Sequence, residues 1–183
     1  MDELAGRPGA KAIVDEGLSK IERAIQSEIE GNGLRPPVFL ALKHLIVAGN
    51  VLLYLPKEGV RLWKLDSYVV KRDVMGNVLD VIAKDEVSPY SLSKTEYELL
   101  DDSDDANETM QSETEELERT IKVYTRFYRC DDENERVHWK MYQEINGKII
   151  PGSEGRFPID KPPFMALRWN SIDGEDYGRG YVE

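Results

Sequence analysis

Apolar residues recur at three- and four-residue steps near the start of the chain. Val14, Leu18, Ile21, Ile25 and Ile29 form one stripe, with Glu16, Lys20, Arg23 and Glu30 largely off it. That spacing predicts an amphipathic helix beginning near Ile13. Gly31-Asn32-Gly33 ends it, because both residue types accept a left-handed cap. Pro36-Pro37 opens a second helix, with Phe39, Leu42, Leu45 and Ile46 as its apolar residues. Gly49-Asn50 closes that helix, and Val51 to Leu55 reads as a short buried strand. Further strands are expected at 60–64 and 77–84, with a turn over Val74 to Asn77 between them. Ser91 to Leu100 has the capping-box spacing of a short helix, Glu96 following Ser93 by three residues.

Alternation is clearest over Thr120 to Tyr128. Ile121, Val123 and Phe127 face one way, and Lys122, Tyr124, Arg126 and Tyr128 the other. An acidic turn over Cys130 to Glu135 leads to a return strand carrying Val137, Trp139, Met141 and Ile145. Asn146-Gly147 is a hairpin turn before Lys148 to Ile150. After Pro162-Pro163 a last strand runs from Phe164 to Trp169, and the segment from Gly174 to Gly180 is punctuated by glycine. Trp139, Phe164 and Trp169 read as core. The pattern therefore predicts an α+β fold, a helical pair packed on mixed or antiparallel sheet with a β-meander. The expected divisions are a frayed start over 1–12, helices and first sheet part over 13–100, an acidic loop over 101–118, a meander over 119–172 and a glycine turn over 173–183.

Charge sharpens this picture. The 183 residues hold 35 acids and 24 bases, a net charge of -11. Asp101 to Glu118 alone holds nine acids and no base, leaving 26 acids against 24 bases elsewhere. The acidic stretch is too polar to offset its own ordering and reads as a mobile loop. The net charge argues against a broad phosphate-binding surface, while the near-neutral remainder leaves room for a local basic patch. One cysteine, Cys130, excludes an internal disulfide and a thiolate cluster. No apolar run is long enough to cross a membrane as a helix.

Little in the sequence points to catalysis. His44 and His138 are the only histidines, and no Ser-His-Asp or Cys-His set can be assembled around them. Cys130 lies beside acids, which raise a thiol pKa. Reading Asp102 as the first position of a calcium loop puts Ala106 at a ligand position and Asn107 where glycine is needed. The segment Gly174 to Gly180 lacks the Gly-Lys-Ser/Thr ending of a phosphate loop and carries acids in its middle. No catalytic residue, metal ligand or cofactor is therefore assigned. Lys122, Tyr124, Arg126 and Tyr128 remain a possible interaction face, mixing basic and aromatic groups on one side of a strand. Two alternative readings stand beside a structural role: a metal-dependent hydrolase using carboxylates from 101–118 or 173–176, and a protein-binding module using the strand face at 122–128.

Three stretches carry a family resemblance. They are Val14-Asp15-Glu16-Gly17-Leu18 through Glu22-Arg23, then Ala41 to Pro56 continuing to Leu65 through Asp73 and Gly76-Asn77-Val78-Leu79, and finally Asp173 to Tyr181. In order and spacing they resemble the portal, or head-to-tail connecting, proteins of short-tailed double-stranded-DNA phages, from about residue 13 to the end and least over 85–118. The resemblance is to the wing region of such a subunit. It implies a structural protein with no catalytic residues, part of a ring, usually of twelve subunits, at one capsid vertex. Its implied partners are other portal subunits, capsid or scaffold protein, terminase and tail proteins, with DNA passing through the ring and the virion as its location. By the same resemblance Gly174, Gly178 and Gly180 set a wing-to-stem turn, Tyr177 and Arg179 anchor it, and Tyr177 to Glu183 begins a stem helix.

Overall fold

A computed structural model of the chain describes residues 10–56, 59–100, 120–131 and 137–182. Residues 1–9 of the start expected to be frayed, the acidic loop at 101–118 and most of the acidic turn before Val137 lie outside these residues. Residues 10–12, also expected to be frayed, are the first residues of a helix, because the helical pattern extends back through Ala10, Lys11 and Ala12. Helix α1 spans Ala10–Gly31 and α2 spans Arg35–Ala48, with the proline pair in its first turn. Strands β1 (Asn50–Tyr54) and β2 (Arg61–Lys64) follow, then a turn of 3-10 helix at Leu65–Ser67. Strands β3 (Tyr68–Arg72) and β4 (Val78–Val87) precede the short helix α3 (Lys94–Glu98), whose capping box between Ser93 and Glu96 is formed. The rest is strand: β5 (Ile121–Asp131), β6 (Val137–Ile145), β7 (Lys148–Ile149), β8 (Gly155–Pro158) and β9 (Phe164–Arg168).

Among the described residues the strands form two sheets, and every pairing is antiparallel. The smaller has the order β2-β1-β9. The larger runs β3-β4-β5-β6, with β7 and β8 sharing the far edge of β6. The two inner faces share one core: Leu52, Trp63 and Phe164 from the small sheet, and Tyr68, Val70, Val81, Ala83, Phe127 and Trp139 from the large one. Phe127 has no exposed surface and lies between Tyr54 and Phe164, with ring centroids 5.4 and 4.9 Å away. On the other side of the small sheet, Ala41 and Leu45 of α2 pack against Val51 and Leu53. The layers are thus helix, three-stranded sheet, larger sheet.

The α+β class agrees with the sequence pattern, and particular elements depart from it. β3 and β8 were not expected. β3 begins directly after the 3-10 turn with no glycine or proline to announce it, and β8 is only four residues long. The last strand does not join the meander. Pro162-Pro163 breaks the path, the Pro163 carbonyl accepts from the Leu55 amide at 2.7 Å, and β9 pairs with β1 instead. The divisions at 13–100 and 119–172 are therefore interleaved through both sheets. Of the helical pair, α2 packs on the small sheet, through Leu45 of its four expected apolar residues together with Ala41. Ala41 and Leu45 are buried while Phe39, Leu42 and Ile46 face outward, because small Ala41 lets the helix axis approach β1. Trp139 and Phe164 are core, as expected, but Trp169 is 45% exposed, since its position lies beyond the end of β9 and outside the layer contact.

Truncating the residue at the centre of the sandwich tests this account. Phe127→Ala is expected to lower unfolding free energy by about 3–5 kcal/mol, read from urea denaturation followed by tryptophan fluorescence.

Candidate functional site

The glycine segment is built into the body by contacts between backbones. Helix α2 ends with Gly49 in the left-handed conformation, φ 72°. The four carbonyls around this end then find separate donors. Leu45 O accepts from Gly49 N at 3.0 Å and Ile46 O from Tyr181 N at 2.7 Å. Ala48 O accepts from the Asn50 side-chain Nδ2 at 3.0 Å, and Gly49 O from Trp169 N at 2.9 Å. Helix ends leave such carbonyls unpaired unless something caps them. Here two of the donors, Trp169 and Tyr181, belong to residues more than a hundred positions later.

Asn50 holds the segment most directly. It is 2% exposed, and its side-chain amide forms a reciprocal pair with the Gly178 backbone. Nδ2 donates to Gly178 O at 2.6 Å, and Gly178 N donates to Oδ1 at 2.7 Å. Next to it, the Asn170 and Arg179 backbones exchange bonds of 3.3 and 2.9 Å. The approach is so close that a Cβ on Gly180 would lie 2.2 Å from Val47 O, and one on Gly49 2.2 Å from the Arg179 carbonyl carbon. Glycine is needed at both positions for this reason.

A second clamp comes from the larger sheet. The Arg72 guanidinium donates to three carbonyls: Asp176 O at 2.9 Å, Gly76 O at 2.9 Å and Ala166 O at 2.8 Å. One cation thereby ties β3, the turn after it, β9 and the glycine segment together. Burial and the neighbouring Arg168 lower the Arg72 pKa, and Tyr68 and Asp176 oppose them. An arginine remains charged regardless. The Asp176 carboxylate accepts from Arg72 N at 2.6 Å and from Lys71 Nζ at 3.2 Å. Those hydrogen bonds, the backbone one foremost, hold its pKa below the ordinary carboxylate value. The Tyr177 hydroxyl accepts from Val70 N at 3.2 Å, and its ring lies 6.4 Å from that of Tyr68. Burial, with Tyr177 nearby, raises the Tyr68 pKa.

The expected turn residues therefore come together with unequal parts. Gly174 takes φ 79° in the turn itself. Tyr177, Gly178 and Gly180 sit inside the docked segment. Arg179 holds it through its backbone, while its half-exposed side chain lies 3.9 Å from Glu175. The helix expected from Tyr177 is not formed over Tyr177–Val182. The amides of Gly178, Arg179 and Tyr181 are committed to Asn50, Asn170 and Ile46, so they are not available for helical bonding. Asn50 and Arg72 were missed as site residues. Asn50 reads in sequence as a helix-ending residue and Arg72 as one of several strand bases. Both fall in the second resembling stretch, which was the only signal for them.

The second expected face exists but is internally neutralised. Lys122, Tyr124, Arg126 and Tyr128 lie on the outer side of β5, opposite Glu86, Lys84, Ile82 and Asp80 of β4. Arg126 grips Asp80 with Nη2 at 2.5 Å and Nε at 3.1 and 3.2 Å, and approaches the Tyr142 hydroxyl at 3.4 Å. Its guanidinium also lies 5.0 Å from the Tyr128 ring centre. The hydrogen bonds to Asp80 and Tyr142 raise the Arg126 pKa. Among the described residues no group of three or more His, Cys, Asp and Glu could hold a metal ion, and no helix is long and apolar enough to cross a membrane. His138 is buried beside Arg156, with 3.5 Å between Nδ1 and Nη2. The acids at 101–118 lie outside the described residues, and Asp176 is spent on the clamp.

The segment is docked chiefly through backbone hydrogen bonds, and comparisons with known proteins place the chain in a family. The family model for the bacteriophage head to tail connecting protein matches residues 3–183. This chain belongs to that family. It is 41% identical over 187 residues to the portal protein of Escherichia phage T7, and 39% identical over 186 to that of Enterobacteria phage T3. Each comparison covers 99% of this chain and 33% of the relative. The portal protein of Pseudomonas phage phiKMV is 30% identical over 93% of the chain. The connector chain thus spans about a third of the length of these relatives.

The clamp gives two expectations. Asn50→Ala leaves the Gly178 N–H and C=O unpaired and should cost about 2–4 kcal/mol, with amide exchange accelerated first at Gly178 to Tyr181. Asp176 has a depressed folded pKa, so its contribution is present above the unfolded carboxylate pKa and is lost as pH falls through the lower folded value. Protection of the same amides, taken relative to the intrinsic exchange rate at each pH, should therefore fall on acidification below about pH 4, and Asp176→Asn should remove that fall.

Proposed function

We propose that this chain is the wing region of a phage portal subunit, a structural part of the ring through which DNA is packaged and ejected. The observation that carries the reading is the family match over residues 3–183 together with 41% identity to a portal protein along 99% of the chain. The docked glycine segment supports it. A subunit that transmits load between a peripheral body and a channel needs a stiff joint, and bonding between backbones with no room for a Cβ supplies stiffness. In this reading Gly174, Tyr177, Gly178, Arg179 and Gly180 form the wing side of that joint, clamped by Asn50 and Arg72. The partners are other portal subunits, usually twelve to a ring, the capsid shell or scaffold around it, and terminase and tail proteins at its ends. Assembly takes place in the host cytoplasm and the product resides at one vertex of the virion. The role is mechanical and not enzymatic. The neutralised outer face of β5 supports contact with protein over contact with a phosphate backbone.

Grafting tests the reading. Residues 3–183 replace the matching third of the Escherichia phage T7 portal protein, and the chimera is supplied to a phage lacking its own portal. Closed rings by electron microscopy and DNA-filled heads are expected. A chimera that folds but closes no rings, or whose rings yield only empty heads, would overturn it.

A further inference from the structure

Strand β3 forms one edge of the larger sheet and pairs with β4 on one side. In an antiparallel pair, alternate residues turn both backbone groups away from the neighbouring strand. In β3 these are Tyr68, Val70 and Arg72, since the Val70 and Arg72 amides bond outside the sheet. Their acceptors are side-chain oxygens of the glycine segment, the Tyr177 hydroxyl at 3.2 Å and an Asp176 carboxylate oxygen at 2.6 Å. Two consecutive side chains thus stand where the carbonyls of a further strand would lie. With its amides bare, an edge of this kind is a template for another strand. The segment over it is held mostly by hydrogen bonds, which water can replace. Tyr177 packs against the core, but Tyr181 and Val182 are 78% and 65% exposed. Segments with few buried apolar contacts open at lower cost than the whole fold.

We infer that the glycine segment is a removable cover on this edge, and that with the segment released β3 pairs antiparallel with β3 of a second copy about a two-fold axis. The register follows from which amides are freed. With Val70 set against Val70 of the second copy, the two residues exchange both backbone bonds. Arg72 and Tyr68 then exchange theirs on either side, so all five residues of the strand are used. Such a contact is self-complementary, as a two-fold pair must be. Each face of the strand is preserved across the pair. Tyr68, Val70 and Arg72 stay on the core side, and Val69, which is 57% exposed, stays outside with Lys71. Charge permits the pairing. Residues 66–73 hold two acids, Asp66 and Asp73, and two bases, Lys71 and Arg72. In this register Lys71 lies opposite Val69, Arg72 opposite Tyr68, Asp73 opposite Ser67 and Asp66 opposite Val74, so no like charges are directly opposed. The two Lys71 side chains are diagonal neighbours at the wider spacing and reach into solvent. Docking and pairing exclude one another, because both use the Val70 and Arg72 amides. The segment is therefore an autoinhibitory contact. The inference stands on the β3 edge and does not depend on the portal reading.

The cover and the pairing are tested separately. In the parent chain, amide exchange relative to intrinsic rates should show Val70 and Arg72 opening together with Gly178 and Tyr181. Val69 and Lys71, whose amides face β4, should open later. Gly180→Ala drives a Cβ against Val47 O and expels the segment without altering β3. By sedimentation at concentrations up to about 200 µM, this variant should form a reversible species of twice 20.9 kDa, about tenfold tighter than any self-association of the parent. Asn50→Ala releases the segment by another route and should do the same. The near-ultraviolet aromatic spectrum reports that the sheets remain folded in each. Adding Val69→Lys to Gly180→Ala opposes two lysines at both ends of the pair and should weaken it about fivefold, whereas Val69→Glu should strengthen it by a similar factor. Val70 and Arg72 amides that open independently of Gly178 and Tyr181 would overturn the cover. Released variants that stay monomeric with the aromatic spectrum intact, or association indifferent to the sign of the charge at position 69, would overturn the pairing.

Discussion

The exchange of hydrogen bonds between the Asn50 side chain and the Gly178 backbone connects the layers of this molecule. It sits where α2 ends, β1 begins and the chain returns after β9. Asn50 also bonds Ala48 O, so the same side chain finishes the helix and receives the distant segment. A buried amide with two partners in place stabilises modestly, but with one partner removed it is costly. The junction is therefore either fully made or strongly disfavoured. Arg72 repeats this logic from the larger sheet, with three carbonyls of three different segments around one guanidinium. Neither clamp works without close approach. Gly49 and Gly180 supply it by having no side chain at the crossing.

The sandwich beneath explains why the clamps are placed as they are. The two sheets meet through aromatic rings around Phe127 and Phe164, and such a core fixes their separation. It does less to stop one sheet sliding over the other, because apolar contact has no direction. Directional bonds are needed at the rim. Arg72 extends from β3 of the larger sheet to β9 of the smaller, and Tyr177 reaches back to the β3 backbone. The core sets spacing and the polar rim sets registration.

Much of this was legible in the residues. The alternation of Ile121, Val123 and Phe127 gave β5 its buried face correctly, and the capping box at Ser93 formed where its spacing said. Gly49-Asn50 marked the end of α2. What could not be read were facts that depend on distant partners. The outward turn of Phe39 and Leu42 follows from the small size of Ala41 against β1, and periodicity alone does not choose between faces of a helix so rich in apolar residues. The switch of β9 into the smaller sheet depends on Pro163 meeting Leu55 across the fold. Residues Tyr177 to Val182 were expected to be helical from family resemblance, yet their amides bond to Asn50, Asn170 and Ile46, which lie far away in sequence or across a turn. Asn50 and Arg72 gave no chemical signal, since an asparagine after a helix and an arginine in a strand are ordinary features.

The distribution of unmatched surface separates the two ends of the molecule. The outer face of the larger sheet mixes bases, acids and tyrosines, and its strongest cation is already satisfied by Asp80 and Tyr142. Such a face resists non-specific pairing and keeps an exposed sheet from recruiting others. The helical end is the reverse. α1 and the outer side of α2 expose apolar residues in number, among them Ile13, Phe39 and Val47. Much of the exposed apolar surface among the described residues therefore lies on the helices, while the outer face of the larger sheet pairs its charges. Because α2 is capped by the same segment that Asn50 and Arg72 hold, a change at the joint reaches the helical surface through its backbone, from Tyr181 to Ile46. The docked segment and the end of α2 are thus bonded directly, and loosening the segment uncaps the helix.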